Sequence, residues 1–301
     1  MNSLRERKRR SQKLLQTMCK GEKSPRSFRD WLETGVQCLQ AAGIRDAKTD
    51  AWLLMEYVAH ITRSFYYMHM HDPMDPVDAK DYEGLLKQRS RHIPVQYLTG
   101  EAWFYGYSFR VNPHVLIPRQ DTEVLVEEAL KRLAPGMHIL DLCTGSGCIL
   151  LSVLKEASVS GVGADISPEA LAVAELNRKR LGVRANWIQS DLFDQIGGRF
   201  HMILSNPPYI PSGVIPELDP EVRDQEPVLA LDGHEDGLYF YRKIVGEAGD
   251  YLFSGGWLCM EIGYDQGAAL EELLKDAGYE EVAIVKDLAG LDRVALGRRP
   301  Q

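Results

Sequence analysis

The chain has 301 residues, 45% of them hydrophobic, which is room for about two domains of ~150 residues with full cores. Its net charge of −8 argues against a molecule whose bulk is built to grip a nucleic-acid backbone, and no uninterrupted apolar run is long enough to span a bilayer, so no membrane association is expected. The five cysteines, Cys19, Cys38, Cys143, Cys148 and Cys259, lack metal-ligand spacing, so they read as free thiols of a reducing compartment, with no metal site.

Residues 1–24 form a basic tail containing Arg5, Arg7, Lys8, Arg9, Arg10 and Lys13. It reads as a solvated extension, poorly ordered or helical. A transit peptide and a contact with RNA are alternatives that the composition leaves open. Residues 25–95 carry a helical period and read as a small all-α, substrate-binding domain. Phe28, Trp31, Leu32, Gly35 and Leu39 share one face, and Gly43 stops that helix. Leu54, Val58 and Ile61 continue the pattern, and Pro76 opens a further helix through Tyr82, Leu85 and Leu86. His69 and His71 alternate, but no third ligand is in view, so they are read as structural.

Residues 96–117 are aromatic and β-prone, and Gly106 interrupts the run from Trp103 to Val111. They predict a β-hairpin linker. Residues 118–301 then alternate strands and helices. Asp121–Leu133 has helical spacing. Met137–Leu142 is an apolar strand, followed by the glycine loop Cys143-Thr144-Gly145-Ser146-Gly147 and a helical run to Leu154. Strand, glycine loop and helix open a doubly wound α/β sheet, in which ligands bind beyond the strand C-termini. A dinucleotide fingerprint would need glycine at position 150, where Leu150 stands, so NAD is disfavoured. Without Gly-Lys-Ser/Thr the loop is not a triphosphate cradle either.

The second strand, Gly161–Ala164, ends at Asp165, an acid placed to accept both hydroxyls of a ribose. Ser167 and Pro168 start a helix that Gly182 ends. The third strand, Asn186–Gln189, runs into Ser190-Asp191-Leu192-Phe193, a carboxylate beside apolar side chains that would suit an adenine amine and ring. Either acid alone is an ordinary strand-end carboxylate; both at successive strand tips after a glycine loop point to a nucleoside. The fourth strand, Phe200–Leu204, leads into Ser205-Asn206-Pro207-Pro208-Tyr209. Two prolines force a stiff, extended exit from the sheet. The Asn206 amide and the Asn206 and Pro207 carbonyls then form a row of acceptors beside the flat ring of Tyr209. This cup suits a planar group bearing an NH2, an amide or an exocyclic base amine. Asp219–Gly237 is a long polar loop able to cover it. Helices over 239–252 and 266–277 and strands over 257–262, 282–285 and 293–296 complete the chain.

The order Asp-Leu-x-Thr-Gly-Ser-Gly, acidic strand tip, Gln-Ser-Asp-Leu-Phe, Asn-Pro-Pro-Tyr resembles the class I methyltransferases that act on planar NH2 groups. Further matches are Gln96–Glu101, Leu116–Glu123, Glu221-Val222-Arg223 with Glu226-Pro227, Glu261-Ile262-Gly263, and Asp287–Gly290 before Arg293. With a helical N-terminal domain, they resemble the release-factor glutamine N5-methyltransferases over about residues 27–298. The resemblance implies a Rossmann-like, seven-stranded sheet with an antiparallel last strand and S-adenosylmethionine as cofactor. It implies that the loop from Cys143 through Thr144, Gly145 and Ser146 to Gly147 approaches the methionine part, that Asp165 holds the ribose, and that Asp191 and Leu192 hold the adenine. Asn206, beside the cofactor, would with Pro207, Pro208 and Tyr209 bind and activate the substrate amide. The implied partners are release factors carrying Gly-Gly-Gln, met by a cytoplasmic monomer, with nucleic acid reached at most through the tail. One departure stands out: the family usually has glycine where this chain has Cys143. Two other functions fit the same residues, an adenine-N6 nucleic-acid methyltransferase and a non-catalytic nucleoside-binding module docked to the ribosome.

Overall fold

The computed structural model describes residues 26–301. The basic tail expected over residues 1–24, and Cys19 with it, lies outside the described residues. The chain divides into two compact units, one ending at Gly100 and the other running from Glu101 to Gln301.

In the first unit, helices span Phe28–Ala42, Ala47–Ala59, Arg63–His69, Pro76–Arg89 and Val95–Thr99. Ser27 and Asp30 start the first helix by exchanging bonds between side chain and backbone, which satisfies N–H groups the helix cannot. Gly43, at φ 84°, ends it in the left-handed cap that glycine adopts at least cost. The face read from the sequence is the packed one, with Leu39, Leu54, Met55, Tyr82 and Leu86 wholly buried. Asp50 and Arg89 form a buried ion pair at 2.7 Å. The second helix ends at Ala59, where His60 turns left-handed, so Ile61 packs from beyond it. His69 bonds Asp72 at 2.7 Å and stacks on Phe65.

In the second unit, β1 (Glu101–Phe104) and β2 (Tyr107–Arg110) make the expected hairpin. Phe104 and Phe109 are buried in the core of this unit, alongside Leu125, Ile149 and Leu204. The remaining strands are β3 (His138–Leu142), β4 (Ser160–Asp165), β5 (Asn186–Gln189), β6 (Phe200–Ser205), β7 (Leu252–Glu261), β8 (Glu280–Lys286) and β9 (Asp292–Arg298). They form one seven-stranded sheet in the order β5-β4-β3-β6-β7-β9-β8. Neighbours from β5 to β7 are parallel, and β9 runs antiparallel to both β7 and β8. This is the doubly wound sheet with an antiparallel last strand. Helices Glu123–Leu130 and Cys148–Glu156 pack on one face, and Tyr239–Tyr251 and Gly267–Asp276 on the other. The order reverses around β3, so β3, β4, β5 and β6 deliver their C-termini to one crevice, where ligands bind in such sheets.

The strand expected from Trp257 begins earlier, at Leu252. Ser254-Gly255-Gly256 has the composition of a turn, but it is an irregularity inside the strand: Phe200 pairs with Leu252 and Met202 with Trp257.

Gly35 faces Tyr82, and a Cβ there would collide with the Tyr82 hydroxyl. Tyr82 is wholly buried and its hydroxyl donates to the Ala51 carbonyl at 3.0 Å, so it cannot swing aside. A helical Gly→Ala change gains up to about 1 kcal/mol from propensity, whereas overpacking costs about 1–3 kcal/mol. Gly35→Ala is therefore expected to lower stability in urea titration. Gly84→Ala, with nothing within 4 Å of its new Cβ, is expected to raise it.

Candidate active site

The crevice holds a cavity of about 340 Å³. Its floor is the loop after β3. Cys143 is left-handed at φ 56°, as are Gly145 at 54° and Gly147 at 78°, so the chain coils tightly and exposes backbone. The Thr144 N–H donates to the Ala164 carbonyl at 3.0 Å, and its hydroxyl donates to Asp141 Oδ2. Gly145 has open space where a side chain would be. Gly147 does not line the cavity; a Cβ there would press on Trp187, Leu151 and Ala174. Glycine there permits both this close packing and the left-handed turn into the following helix.

Asp165 ends β4 at the cavity wall. Its Oδ2 accepts the Gly145 N–H at 2.8 Å and its Oδ1 the Ser167 N–H at 3.0 Å. The carboxylate, with about four acceptor sites, keeps acceptor capacity beyond these bonds. Burial raises the Asp165 pKa, against those backbone bonds. At the tip of β5, Asp191 and Leu192 also line the cavity. Leu192 is left-handed at φ 46°, and the Ser190 hydroxyl braces the turn by donating to its carbonyl at 2.8 Å.

Asn206 and Pro208 form the wall after β6. Among the described residues nothing bonds the Asn206 side-chain amide, which leaves it open to a ligand. Pro207 is buried. Tyr209, expected to lay its ring on a bound amide, is turned inward instead: its hydroxyl donates to Glu261 Oε1 at 3.3 Å, and its ring packs on the apolar core. A buried carboxyl offers that hydroxyl a stronger partner than a solvated cleft.

Several residues that no local pattern marked hold this geometry. Gln266 donates to the Tyr209 carbonyl at 3.0 Å and is itself fixed by the Gly263 N–H at 2.9 Å. Asn177 bonds both backbone groups of Arg110 and the Ser146 carbonyl, which ties the hairpin to the glycine loop. Glu226, in the loop expected as a cover, is buried and accepts from Arg119 and from the Ile117 N–H. That loop supplies Pro227, Leu229, Ala230 and His234 to the wall. Lys243 faces the cavity beside the Tyr239 ring, and its pKa is raised by Tyr239 and then by Asp191. Paired partners reveal the roles of Gln266, Asn177 and Lys243; the covering loop, Glu226-Pro227 and the partners Ile117, Arg119 and Gly263 already stand out in the sequence. Two carboxyls are wholly enclosed: burial pushes both Asp141 and Glu261 up to about 7. Among the described residues, Asp141 Oδ1 and Glu261 Oε2 have no hydrogen-bond partner.

Residues 30–100 match the family described as PrmC N-terminal domain. Residues 120–215 match the methyltransferase small domain. A release factor glutamine methyltransferase of Geobacter sulfurreducens is 40% identical over 86% of this chain and 92% of that protein. One from Caulobacter vibrioides is 43% identical over 86% and 92%. In fold the chain is similar to a methyltransferase from Pyrococcus furiosus, with a TM-score of 0.51 and 18% identity over 64% of this chain and 89% of that one.

Cys143 carries a side chain in a conformation that costs L-residues about 1–2 kcal/mol. Cys143→Gly should gain of order 1 kcal/mol in thermal or urea unfolding, and the β-branched Cys143→Val should lose at least as much; equal stabilities would show no strain there. Asp141 has a folded pKa of about 7 against 3.8 for the free group. Its raised pKa favours folding fully below about pH 3.8, and that benefit is lost as pH rises to about 7. Asp141→Asn, which does not titrate, should gain in melting temperature over the parent across that window and hold the difference at higher pH.

Proposed function

Because the chain belongs to the release factor glutamine methyltransferase family, we propose that it transfers a methyl group from S-adenosylmethionine to the side-chain amide nitrogen of the Gly-Gly-Gln glutamine of peptide chain release factors. The observation that carries this reading is Asn206: an unengaged amide in the cavity wall, next to the glycine loop, at the head of a proline-stiffened exit.

The residues fit the cofactor. Asp165 keeps lone pairs for ribose hydroxyls after accepting two backbone N–H groups. Gly145 leaves backbone uncovered for the methionine part. Asp191 and Leu192 pair a carboxylate with an apolar contact for adenine, and acids at two strand tips favour a positively charged ligand. The cavity volume lies within the ~300–1,000 Å³ of small-molecule sites. When bound, S-adenosylmethionine supplies an electrophilic methyl on a sulfonium. We assign the loop from Cys143 to Ser146, with Asp165, Asp191, Leu192 and Asn206, to holding it. Gly147 shapes the start of the following helix.

An amide nitrogen is a poor nucleophile because its lone pair is delocalised. In this reading Asn206 Oδ1 and the Pro207 carbonyl accept its two N–H groups. That aims the nitrogen and stabilises the positive charge growing on it. As the nitrogen–methyl bond forms the sulfur–methyl bond breaks, the sulfonium becomes the neutral sulfide of S-adenosylhomocysteine, and the nitrogen gives up one proton to water. Pro208 supplies the apolar wall, and Tyr209 anchors the loop from behind. The enzyme meets release factors as a monomer in the cytoplasm. Among the described residues no helix is long and apolar enough to cross a membrane.

The test is mass spectrometry of a release factor after incubation with the protein and S-adenosylmethionine, expecting one added methyl on the Gly-Gly-Gln glutamine. An unmodified factor, or label going to DNA instead, overturns the reading. Asn206→Ala should cut turnover by about two to three orders of magnitude, the loss typical of one preorganised polar group. Cofactor affinity by calorimetry should fall far less than turnover, because Asp165, Asp191 and the glycine loop still hold the cofactor.

A further inference from the structure

We propose that Glu261 is a positioning residue for methyl transfer, acting through Tyr209 on the acceptor loop from Asn206 to Pro208. The inference rests on the substrate reading above. β6 and β7 are parallel neighbours with Ser205 opposite Met260, so Asn206, the first residue beyond β6, stands level with Glu261, the last residue of β7, which is still paired with Val294 of β9. The acceptor loop has little to hold it. Its two prolines have no N–H to donate, and nothing among the described residues bonds the Asn206 side chain.

The loop is gripped where it ends: Ile210 donates its N–H to the Leu231 carbonyl at 3.0 Å and accepts the Gly233 N–H at 2.8 Å, and Tyr209 is held by its side chain as well. The Tyr209 hydroxyl reaches Glu261 Oε1 at 3.3 Å, and its carbonyl accepts from Gln266 at 3.0 Å. Both partners come from the segment that closes β7. Glu261 is anchored in turn: it is 2% exposed, its own carbonyl accepts the Tyr241 hydroxyl at 2.8 Å, and Arg293 and Thr122 act on its carboxyl. Thr122 lines the cavity, so Glu261 is tied to the site through that residue as well as through Tyr209. A carboxyl enclosed with one oxygen unpartnered is a costly choice for packing alone. It is explained if the carboxyl sets the angle at which Tyr209 carries the two acceptors before it.

The experiment compares Glu261→Ala, Glu261→Gln, Tyr209→Phe and the double variant Glu261→Ala/Tyr209→Phe in the full chain. Read for each are kcat and KM with a release factor, calorimetric Kd for S-adenosylmethionine, and amide exchange over residues 205–212 and 143–147. Positioning requires Glu261→Ala to lower kcat about tenfold or more with Kd changed less than about twofold. Glu261→Gln, which keeps an acceptor, should recover to within about threefold of the parent, and the double variant should be no slower than Tyr209→Phe. Multiplying effects, unchanged turnover, or Kd rising as far as kcat falls overturn the proposal. If the parent methylates no release factor, the substrate reading has failed, and exchange decides on Glu261. Faster exchange over 205–212 in Glu261→Ala alone, with 143–147 unchanged, supports it; equal loosening of both segments overturns it.

Discussion

The register between β3 and β6 is the constraint on which the site depends. Leu142 pairs with Ser205, and the Ser205 hydroxyl donates to the Leu142 carbonyl at 3.0 Å. The residues that follow, Cys143 and Asn206, therefore leave the sheet side by side. In the function proposed above, one opens the cofactor loop and the other the acceptor loop, so a single ladder sets two chemistries that must meet within bonding distance. A slip of one residue would turn every side chain of β6 to the opposite face, putting Ile203 and Leu204 where each other now packs. The buried cores on both faces of the sheet hold that register.

Around this ladder the protein tolerates several locally unfavourable features. Cys143 and Leu192 carry side chains at positive φ, at the ends of β3 and β5, where the chain must turn sharply toward the cavity. Asp141 and Glu261 are carboxyls buried away from solvent. Each supports a residue nearer the ligand, Thr144 in the glycine loop and Tyr209 in the acceptor loop. Strain and desolvation thus collect behind the reactive surface, while the groups that face a ligand, Asp165 and Asn206, keep bonding capacity in hand. Such concentration is usual where geometry is the product being maintained.

Much of this was legible in the sequence, and the reasons are local. Strands β3 and β6 and the second half of β7 are apolar runs, and the helices begin at Ser27, Ser167-Pro168 and Pro76, where capping chemistry is written into single residues. The acids at the tips of β4 and β5 and the proline exit from β6 were visible for the same reason. Short elements escaped: Arg63–His69 and Val95–Thr99 span too few residues to show a period. β7 was entered late because Ser254-Gly255-Gly256 looks like a turn, and only the partner strand shows it is a bulge. Asn177, Gln266 and the inward turn of Tyr209 depend on residues dozens of positions away. No window along the chain contains both members of such a pair.

The place of β9 has a consequence for biosynthesis. The strand made last is not at the margin of the sheet but between β7 and β8. Until residues 292–298 emerge, β8 has no neighbour to join, and β7 presents a bare row of peptide groups, the kind of edge that recruits foreign strands. A nascent or truncated chain lacking those seven residues thus forfeits two strands, although the whole ligand crevice has already been translated.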